Sequence, residues 1–253
     1  MALDPISAAA IVVAGIVGGF FNTLAGGGSL LTLPALMLAG LPADVANGTN
    51  RLAIVGQAAW GAAAFARAGR LEARPALEVL LPTATGAAGG ALVASQVPED
   101  LLRTVLLLML VGMAALLAFA PGMVSAEPGE RARALRERPL GAVALFAAGA
   151  YGGFVQAGVG FLLLAALGGV LRYDLVGANA LKLVCTAALS VVALAVFVWA
   201  DQVAWVPGLL LAVATTAGSQ LGVRFATRVP AAALRRVLLV AVLASCGAAL
   251  LKA

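Results

Sequence analysis

The sequence contains no histidine among its 253 residues. Histidine is the commonest metal ligand, the base of Ser–His and Cys–His catalytic pairs and a frequent proton relay. The two cysteines, Cys185 and Cys246, lie far apart within apolar segments, where a thiol mainly fills space. We therefore predict no metal site and no cofactor. A site role for Cys185, which closely follows Lys182, is the alternative to packing.

Charged residues are scarce: they make up 11% of the chain, whereas hydrophobic residues make up 63% and the mean hydropathy is +1.07. A soluble domain carries roughly 25% charged residues. The composition thus predicts a polytopic protein whose surroundings are the lipid bilayer. The net charge of +5 mostly reflects basic cytoplasmic loops, so we expect no nucleic-acid partner. No feature of the sequence sets the oligomeric state.

Acidic residues are missing from the apolar interior. All 11 of them fall in connectors or near predicted helix ends. Cation transporters and carboxylate proton relays normally carry a buried Asp or Glu. With neither histidine nor a deep carboxylate, the chain is predicted not to be an enzyme, and any small-molecule substrate is predicted to be an anion.

The chain does contain an internal repeat. Residues 15–22, Gly-Ile-Val-Gly-Gly-Phe-Phe-Asn, return 134 residues later as 149–156, Gly-Ala-Tyr-Gly-Gly-Phe-Val-Gln. Residues 45–52 likewise align with 176–183 at an offset of 131. Two apolar halves that are interrupted by glycines at the same place are typical of secondary transporters built from repeats. We predict a first repeat at 1–121, a linker at 122–139 and a second repeat at 140–253.

Two of the apolar blocks are too long for one membrane crossing, which takes about 20 residues. Both carry a glycine break, Gly26-Gly27-Gly28 in the first half and Gly158-Val159-Gly160 in the second. We predict an all-α membrane protein in which each half has one glycine-broken segment, either a re-entrant hairpin or a pair of half-helices, and three full spans. The blocks are 6–40, 43–66, 75–95, 100–121, 140–171, 174–200, 204–225 and 231–252.

The distribution of basic residues predicts the orientation. If each broken block enters the membrane and returns, the second half is inverted, and 12 of the 16 basic residues face one side while only Arg103 and Lys252 face the other. The remaining two, Arg51 and Lys182, stay within the membrane. Basic loops mark the cytoplasmic side. We therefore expect the linker in the cytoplasm and both termini on the non-cytoplasmic side.

Arg51 and Lys182 lie at matching places inside apolar helices of the two halves. A cation in hydrocarbon costs at least about 2.5–3.5 kcal/mol and usually marks a functional site. Each shares a helix face with an amide, Asn47 four residues before Arg51 and Asn179 three before Lys182; Asn50 adds a further amide. Snorkelling of both cations to the interface is the alternative interpretation.

The glycine breaks are the second candidate feature. Glycine lets the backbone turn sharply, and Ser29 is a natural N-cap for a following half-helix. Free N–H groups and the positive dipole end of such a half-helix can bind an anion. Asn22 and Gln156 precede the two breaks and add amide donors. Close helix packing is the alternative explanation for membrane glycines.

The first-half runs Gly18-Gly19-Phe20-Phe21-Asn22-Thr23-Leu24-Ala25-Gly26-Gly27-Gly28-Ser29 and Ala46-Asn47-Gly48-Thr49-Asn50-Arg51 resemble the TauE/SafE sulfite exporter family, also called the toluene sulfonate uptake permease family. The run Gly177-Ala178-Asn179-Ala180-Leu181-Lys182-Leu183 fits it too. The second half departs from the pattern, since its glycine break is shorter and lacks the serine. The resemblance implies a bacterial inner-membrane permease for small sulfur-containing anions such as sulfite, thiosulfate or organosulfonates.

These observations together predict a secondary transporter that works by alternating access. The rival hypotheses are an anion channel with the same site and a non-transporting membrane scaffold or receptor. Direction and coupling ion stay open. The predicted substrate-binding residues are Asn22, Gly26, Gly27, Gly28, Ser29, Asn47, Asn50, Arg51, Gln156, Gly158, Gly160, Asn179 and Lys182.

Overall fold

The computed structural model describes residues 4–25, 27–119 and 132–225, and within these ranges the chain is helical without strands. The prediction of an all-α protein is thus confirmed for them. Gly26, most of the predicted linker and the predicted span 231–252 lie outside the described residues. The helices are α1 (Pro5–Ala25), α2 (Ser29–Leu38), α3 (Ala43–Arg67), α4 (Ala73–Gln96), α5 (Glu99–Phe119), α6 (Pro139–Phe154), α7 (Val159–Leu164, continued by a π-helical stretch Ala165–Val170), α8 (Leu175–Trp199) and α9 (Trp205–Phe225).

Three helical stretches of the described chain are long and apolar enough to cross a membrane: Pro5–Asn22, Ala73–Gln96 and Val176–Trp199. Their outward surfaces are apolar as well, with side chains such as Ile6 and Leu81 more than two-thirds exposed. Apolar side chains at this exposure suit a lipid environment, because a soluble surface rarely presents large contiguous apolar patches.

Side-chain caps start two of the helices. Asp4 accepts hydrogen bonds from the backbone N–H groups of Ile6 and Ser7 at 2.9 and 3.0 Å, ahead of α1. Hydrogen bonds from the Ser7 side chain and backbone hold the pKa of Asp4 below its ordinary value. Asp174 caps α8 by accepting from the N–H of Gly177 at 3.0 Å. Both caps satisfy N–H groups that have no partner within the helix.

α2 runs back along α1. Gly18 lies against Thr32 and Gly28 against Asn22, so the two helices are antiparallel. With 10 residues, α2 is about 15 Å long, roughly half of a bilayer core of about 30 Å. The helix begins at Ser29 itself, Gly28 precedes it, and no side-chain hydrogen bond caps it. The prediction that Ser29 acts as the N-cap is therefore wrong.

α7 runs back along α6 in the second half. Gly152 lies against Val159 and Gly141 against Leu171, which makes this pair antiparallel as well. The turn between them spans 155–158 and places Gln156 at φ +66° and Gly158 at φ +74°. Gly158 is well suited to this left-handed backbone, which L side chains rarely adopt.

Long helices of one half pack on helices of the other. α1 packs against α9, α4 against α6 and α8, and α3 against α8 and α9. Residue pairs at each interface give the relative direction: α1 and α9 are parallel, as are α4 and α6, whereas α3 and α8 are antiparallel. The pairs are Gly15 with Ala214 and Gly19 with Ser219 (α1–α9), Gly86 with Phe146 and Gly90 with Ala150 (α4–α6), and Gly61 with Leu183 and Gly48 with Phe197 (α3–α8).

Side-chain hydrogen bonds give the relative directions of two further helix pairs. Thr49 on α3 accepts from the N–H of Ala204 just before α9, and Gln57 donates to Ser219 further along both helices, so α3 and α9 are parallel. Thr83 lies 3.6 Å from the Cys185 sulfur, so residues early in α4 and α8 adjoin. At their other ends, Gln202 donates to the Ser95 carbonyl at 3.2 Å. α4 and α8 are therefore parallel.

Candidate functional site

Arg51 on α3 is fully buried and is bound by groups of the second half. Its guanidinium donates to the backbone carbonyls of Gly152 and, at 2.9 Å, Gly153. It also donates to the side-chain oxygens of Gln156 at 2.6 Å and Asn47 at 3.1 Å. The last carbonyls of a helix lack partners within it and form the negative end of its dipole. Arg51 therefore caps the C-terminus of α6.

Two further contacts reinforce this cap. The Arg51 guanidinium lies 5.4 Å from the centre of the Phe197 ring, a cation–π distance. Asn47 donates to the carbonyl of Phe154 at 2.7 Å. The snorkelling alternative fails for Arg51, since its side chain is 0% exposed and points into the protein.

Asn50, next to Arg51 in sequence, faces the first hairpin. It accepts a 2.7 Å hydrogen bond from the Thr32 hydroxyl of α2, and both residues are buried. Its amide nitrogen has no hydrogen-bond partner within the described ranges. Asn50 therefore ties α2 to α3.

The second-half cation is in a different environment. Lys182 on α8 is half-buried, and its ammonium donates to the Asn179 side-chain oxygen at 2.9 Å. Across from it, Asn22 of α1 donates to Gln57 of α3 at 2.9 Å. These four side chains border one cavity.

This cavity has a volume of about 790 Å³ and lies between the two hairpin turns and α3, α8 and α9. Seven of the predicted site residues line it: Asn22, Ser29, Gln156, Gly158, Gly160, Asn179 and Lys182. Five others do not: Gly27, Gly28, Asn47, Asn50 and Arg51. Gln57 and Thr186 also line it; their helix positions place them near Asn50 and Lys182, although they are not among the predicted binding residues. Thr216, Ser219 and Gln220 of α9 and the apolar wall of Ile54, Trp60, Phe65 and Leu183 were not predicted.

The polar groups of the cavity are amides, hydroxyls and one ammonium. No Asp or Glu of the described chain lines it, and no cluster of possible metal ligands was found in that part of the chain. The polar groups therefore include a cation and many N–H and O–H donors. Such a lining can neutralise and hydrogen-bond a negatively charged ligand.

A second cavity of about 530 Å³ lies among the connectors beside α4 and α8. Arginines and carboxylates both line it, including Arg70, Arg136, Glu72 and Glu78. Burial, together with Glu78 and Glu72, raises the pKa of Tyr173 at its edge. With both signs of charge present, this cavity lacks the anion-directed lining of the first.

Comparisons with known proteins identify a family and several similar membrane transporters. The model of the family described as "Sulfite exporter TauE/SafE" matches residues 11–249. A "Probable membrane transporter protein ORF9" of Sinorhizobium sp is 30% identical over 85% of this chain and 82% of its own length. The "Probable membrane transporter protein YfcA" of Escherichia coli K12 is 26% identical over 88% and 81%, and a "Probable membrane transporter protein" of Haemophilus influenzae is 26% identical over 83% and 81%. No solved structure matches the chain significantly.

The family match covers nearly the whole chain, well beyond either half alone. Together with the three helices of bilayer length among the described residues, it makes this a multi-pass membrane protein of the transporter class. The chain belongs to the TauE/SafE sulfite exporter family.

Proposed function

We propose that the protein is a secondary transporter that carries small sulfur-containing anions, such as sulfite, thiosulfate or organosulfonates, across the bacterial inner membrane. The observation that carries this proposal is the cavity at the hairpin turns, where Lys182 is surrounded by amide and hydroxyl groups and no described carboxylate lines the wall. The expectation of a sulfur-containing substrate rests on the family description. The expectation of a negatively charged substrate rests on the cavity lining.

The two halves are proposed to be inverted repeats, and the helix directions support this. By the contacts given above, α1, α3 and α9 run one way, while α4, α6 and α8 run the other. The sequence repeat pairs α1 with α6, α3 with α8 and α4 with α9. Each helix is thus antiparallel to its counterpart, the arrangement expected of inverted-topology transporters.

Alternating access is proposed because the two matching cations have different surroundings. Arg51 is hydrogen-bonded to the end of α6, whereas Lys182, its counterpart, borders an open cavity. In an inverted repeat the opposite state arises when the halves exchange conformations. Lys182 would then cap the end of α1 near Gly18 and Gly19, the counterparts of Gly152 and Gly153.

The positive-inside rule indicates which side of the membrane the cavity opens to. The cavity follows the C-terminal part of α3 and the N-terminal part of α8, up to Trp60 and Phe65. Arg67, Arg70 and Arg74 come directly after this part of α3. We therefore propose that the structure is open to the cytoplasm, with both chain termini on the opposite side.

Flux measurements in proteoliposomes test the proposal. We expect saturable uptake of labelled sulfite, accelerated counterflow from liposomes preloaded with unlabelled sulfite, and competition by methanesulfonate. Methanesulfonamide, a close neutral analogue, is the matched control and should not compete. Single-channel currents without counterflow would replace the carrier with a channel. No flux of any anion tested would favour the scaffold or receptor hypothesis.

A further inference from the structure

We infer that Arg51 is a positioning residue for substrate binding: it fixes the amide of Gln156 so that this side chain offers its N–H groups, and not its oxygen, to the cavity. The inference rests on the proposed function, because it names a role within the proposed anion site. It changes the predicted role of Arg51 from a direct ligand to a residue acting through another.

The chemistry of the guanidinium fixes the orientation of the amide. Arginine has five N–H donors and no acceptor, so the Gln156 atom 2.6 Å from Arg51 must be the oxygen. The Ser190 hydroxyl lies 3.3 Å from the same oxygen. An amide held by its oxygen on one side presents its nitrogen on the other.

The amide nitrogen of Gln156 is available to a ligand. The hydrogen bonds of this side chain within the described chain involve its oxygen, and Gln156 lines the cavity while being only 3% exposed. Its N–H groups can donate to a ligand in the cavity, and a donor that loses water without gaining a partner costs on the order of 1–3 kcal/mol. A bound oxyanion would satisfy it, and a bound cation would not.

The backbone around Gln156 is also held by hydrogen bonds. Its φ of +66° is unusual for a residue other than glycine, and hydrogen bonds on both sides hold the turn. The N–H of Val155 donates to the Tyr151 carbonyl at 2.9 Å. The Tyr151 hydroxyl donates to the Ala157 carbonyl at 2.8 Å. The direction of the amide is therefore set by Arg51 on a fixed backbone.

Gln156→Glu tests the orientation of the donors. A carboxylate retains the acceptor for Arg51 and the shape of the side chain, but it has no N–H for the cavity. We expect the variant to keep the wild-type melting temperature in detergent or to exceed it, while KM for sulfite uptake rises by about tenfold or more. Gln156→Met, which is neutral and also lacks donors, should raise KM as well, separating lost donors from added charge.

A double-mutant cycle tests the role of Arg51. Arg51→Lys makes fewer directed bonds, and we expect it to raise KM in the wild-type background. In a Gln156→Met background, the same substitution should raise KM no further. A purely structural Arg51 would lower the melting temperature and the amount of active protein in both backgrounds and leave KM unchanged.

The possible failures are distinguishable. Wild-type protein that neither transports nor binds sulfite, thiosulfate or methanesulfonate would overturn the proposed function itself. Wild-type uptake with an unchanged KM in Gln156→Glu and Gln156→Met would overturn only the inference. Additive effects of Arg51→Lys and Gln156→Met on KM would show that Arg51 does not act through Gln156, and would overturn it too.

Discussion

Arg51 and Lys182 occupy matching positions in the internal sequence repeat, but their surroundings differ. Arg51 is completely buried, and its hydrogen-bond partners are four acceptors, three of them from the other half. Lys182 is half-buried and borders the cavity beside Asn179. The two cations thus occupy matching positions in the sequence, but Arg51 binds protein groups and Lys182 borders the cavity.

The chemistry of the two side chains suits this division. Arginine can make several directed bonds at once, which a cap on two carbonyls and two amide oxygens requires. Lysine is a compact charge on a flexible stem, and it can follow a mobile anion. Two halves with identical cations would lack this difference.

Arg51→Ala should have the largest effect. It leaves the carbonyls of Gly152 and Gly153 without their donor, and each buried unsatisfied acceptor costs about 1–3 kcal/mol, against a total stability of about 5–15 kcal/mol for typical proteins. We expect little folded protein by fluorescence-detected size-exclusion chromatography. A folded variant with the wild-type melting temperature would show that Arg51 does not hold α6.

Lys182→Met should separate transport from folding. The substitution keeps an unbranched side chain of similar length and removes a charge that costs energy in an apolar environment. We expect normal insertion, an unchanged or higher melting temperature, and sulfite uptake reduced to background. Lys182→Arg is the matched control and should retain part of the activity. Normal KM and rate in Lys182→Met would remove Lys182 from the site and make the two cations alike in having no ligand role.

The positions of the two cations could be predicted from the sequence, but the contrast between their surroundings could not. The spacing of Asn179 and Lys182 placed both on one helix face, and the duplicated glycine breaks fall where helices end at Ala25 and Phe154. The partners of Arg51 could not be predicted, because they are mainly backbone carbonyls about 100 residues away, and a carbonyl has no sequence signature.

The contribution of α9 was missed for a related reason. Its polar run, Thr215-Thr216-Ala217-Gly218-Ser219-Gln220, is visible in an otherwise apolar segment. Hydroxyls in membrane helices often bond to their own backbone, however, as Thr216 does to the Ala212 carbonyl at 2.8 Å. Only the packing of α9 against α1 and α3 shows that Thr216, Ser219 and Gln220 also face the cavity.

Thr32→Val tests whether the first hairpin is held as the second one is. The Thr32 hydroxyl is the described donor to the buried Asn50 oxygen, so its removal leaves that oxygen unsatisfied at a cost of about 1–3 kcal/mol. We expect a lower melting temperature and a smaller loss of folded protein than for Arg51→Ala, because one hydrogen bond is lost and not several. Thr32→Ser keeps the hydroxyl and should behave like the wild type. A Thr32→Val variant as stable as the wild type would mean that the tie between α2 and α3 is redundant.

Ser190→Ala should have the smallest effect, and it separates the contribution of the Ser190 hydroxyl from that of the Arg51 guanidinium. Ser190 and Arg51 both donate to the Gln156 oxygen, but the serine bond is longer, at 3.3 Å against 2.6 Å, and its donor is neutral. Charge-assisted hydrogen bonds are roughly twice as strong as neutral ones, so Arg51 alone should keep the amide oriented. We expect KM for sulfite to change by less than about threefold and the melting temperature to fall slightly, since a neutral hydrogen bond contributes about 0.5–1.5 kcal/mol. An increase in KM as large as that of Gln156→Glu would mean that the hydroxyl, and not the guanidinium, controls the amide, so that the cation of the first half would be only a helix cap.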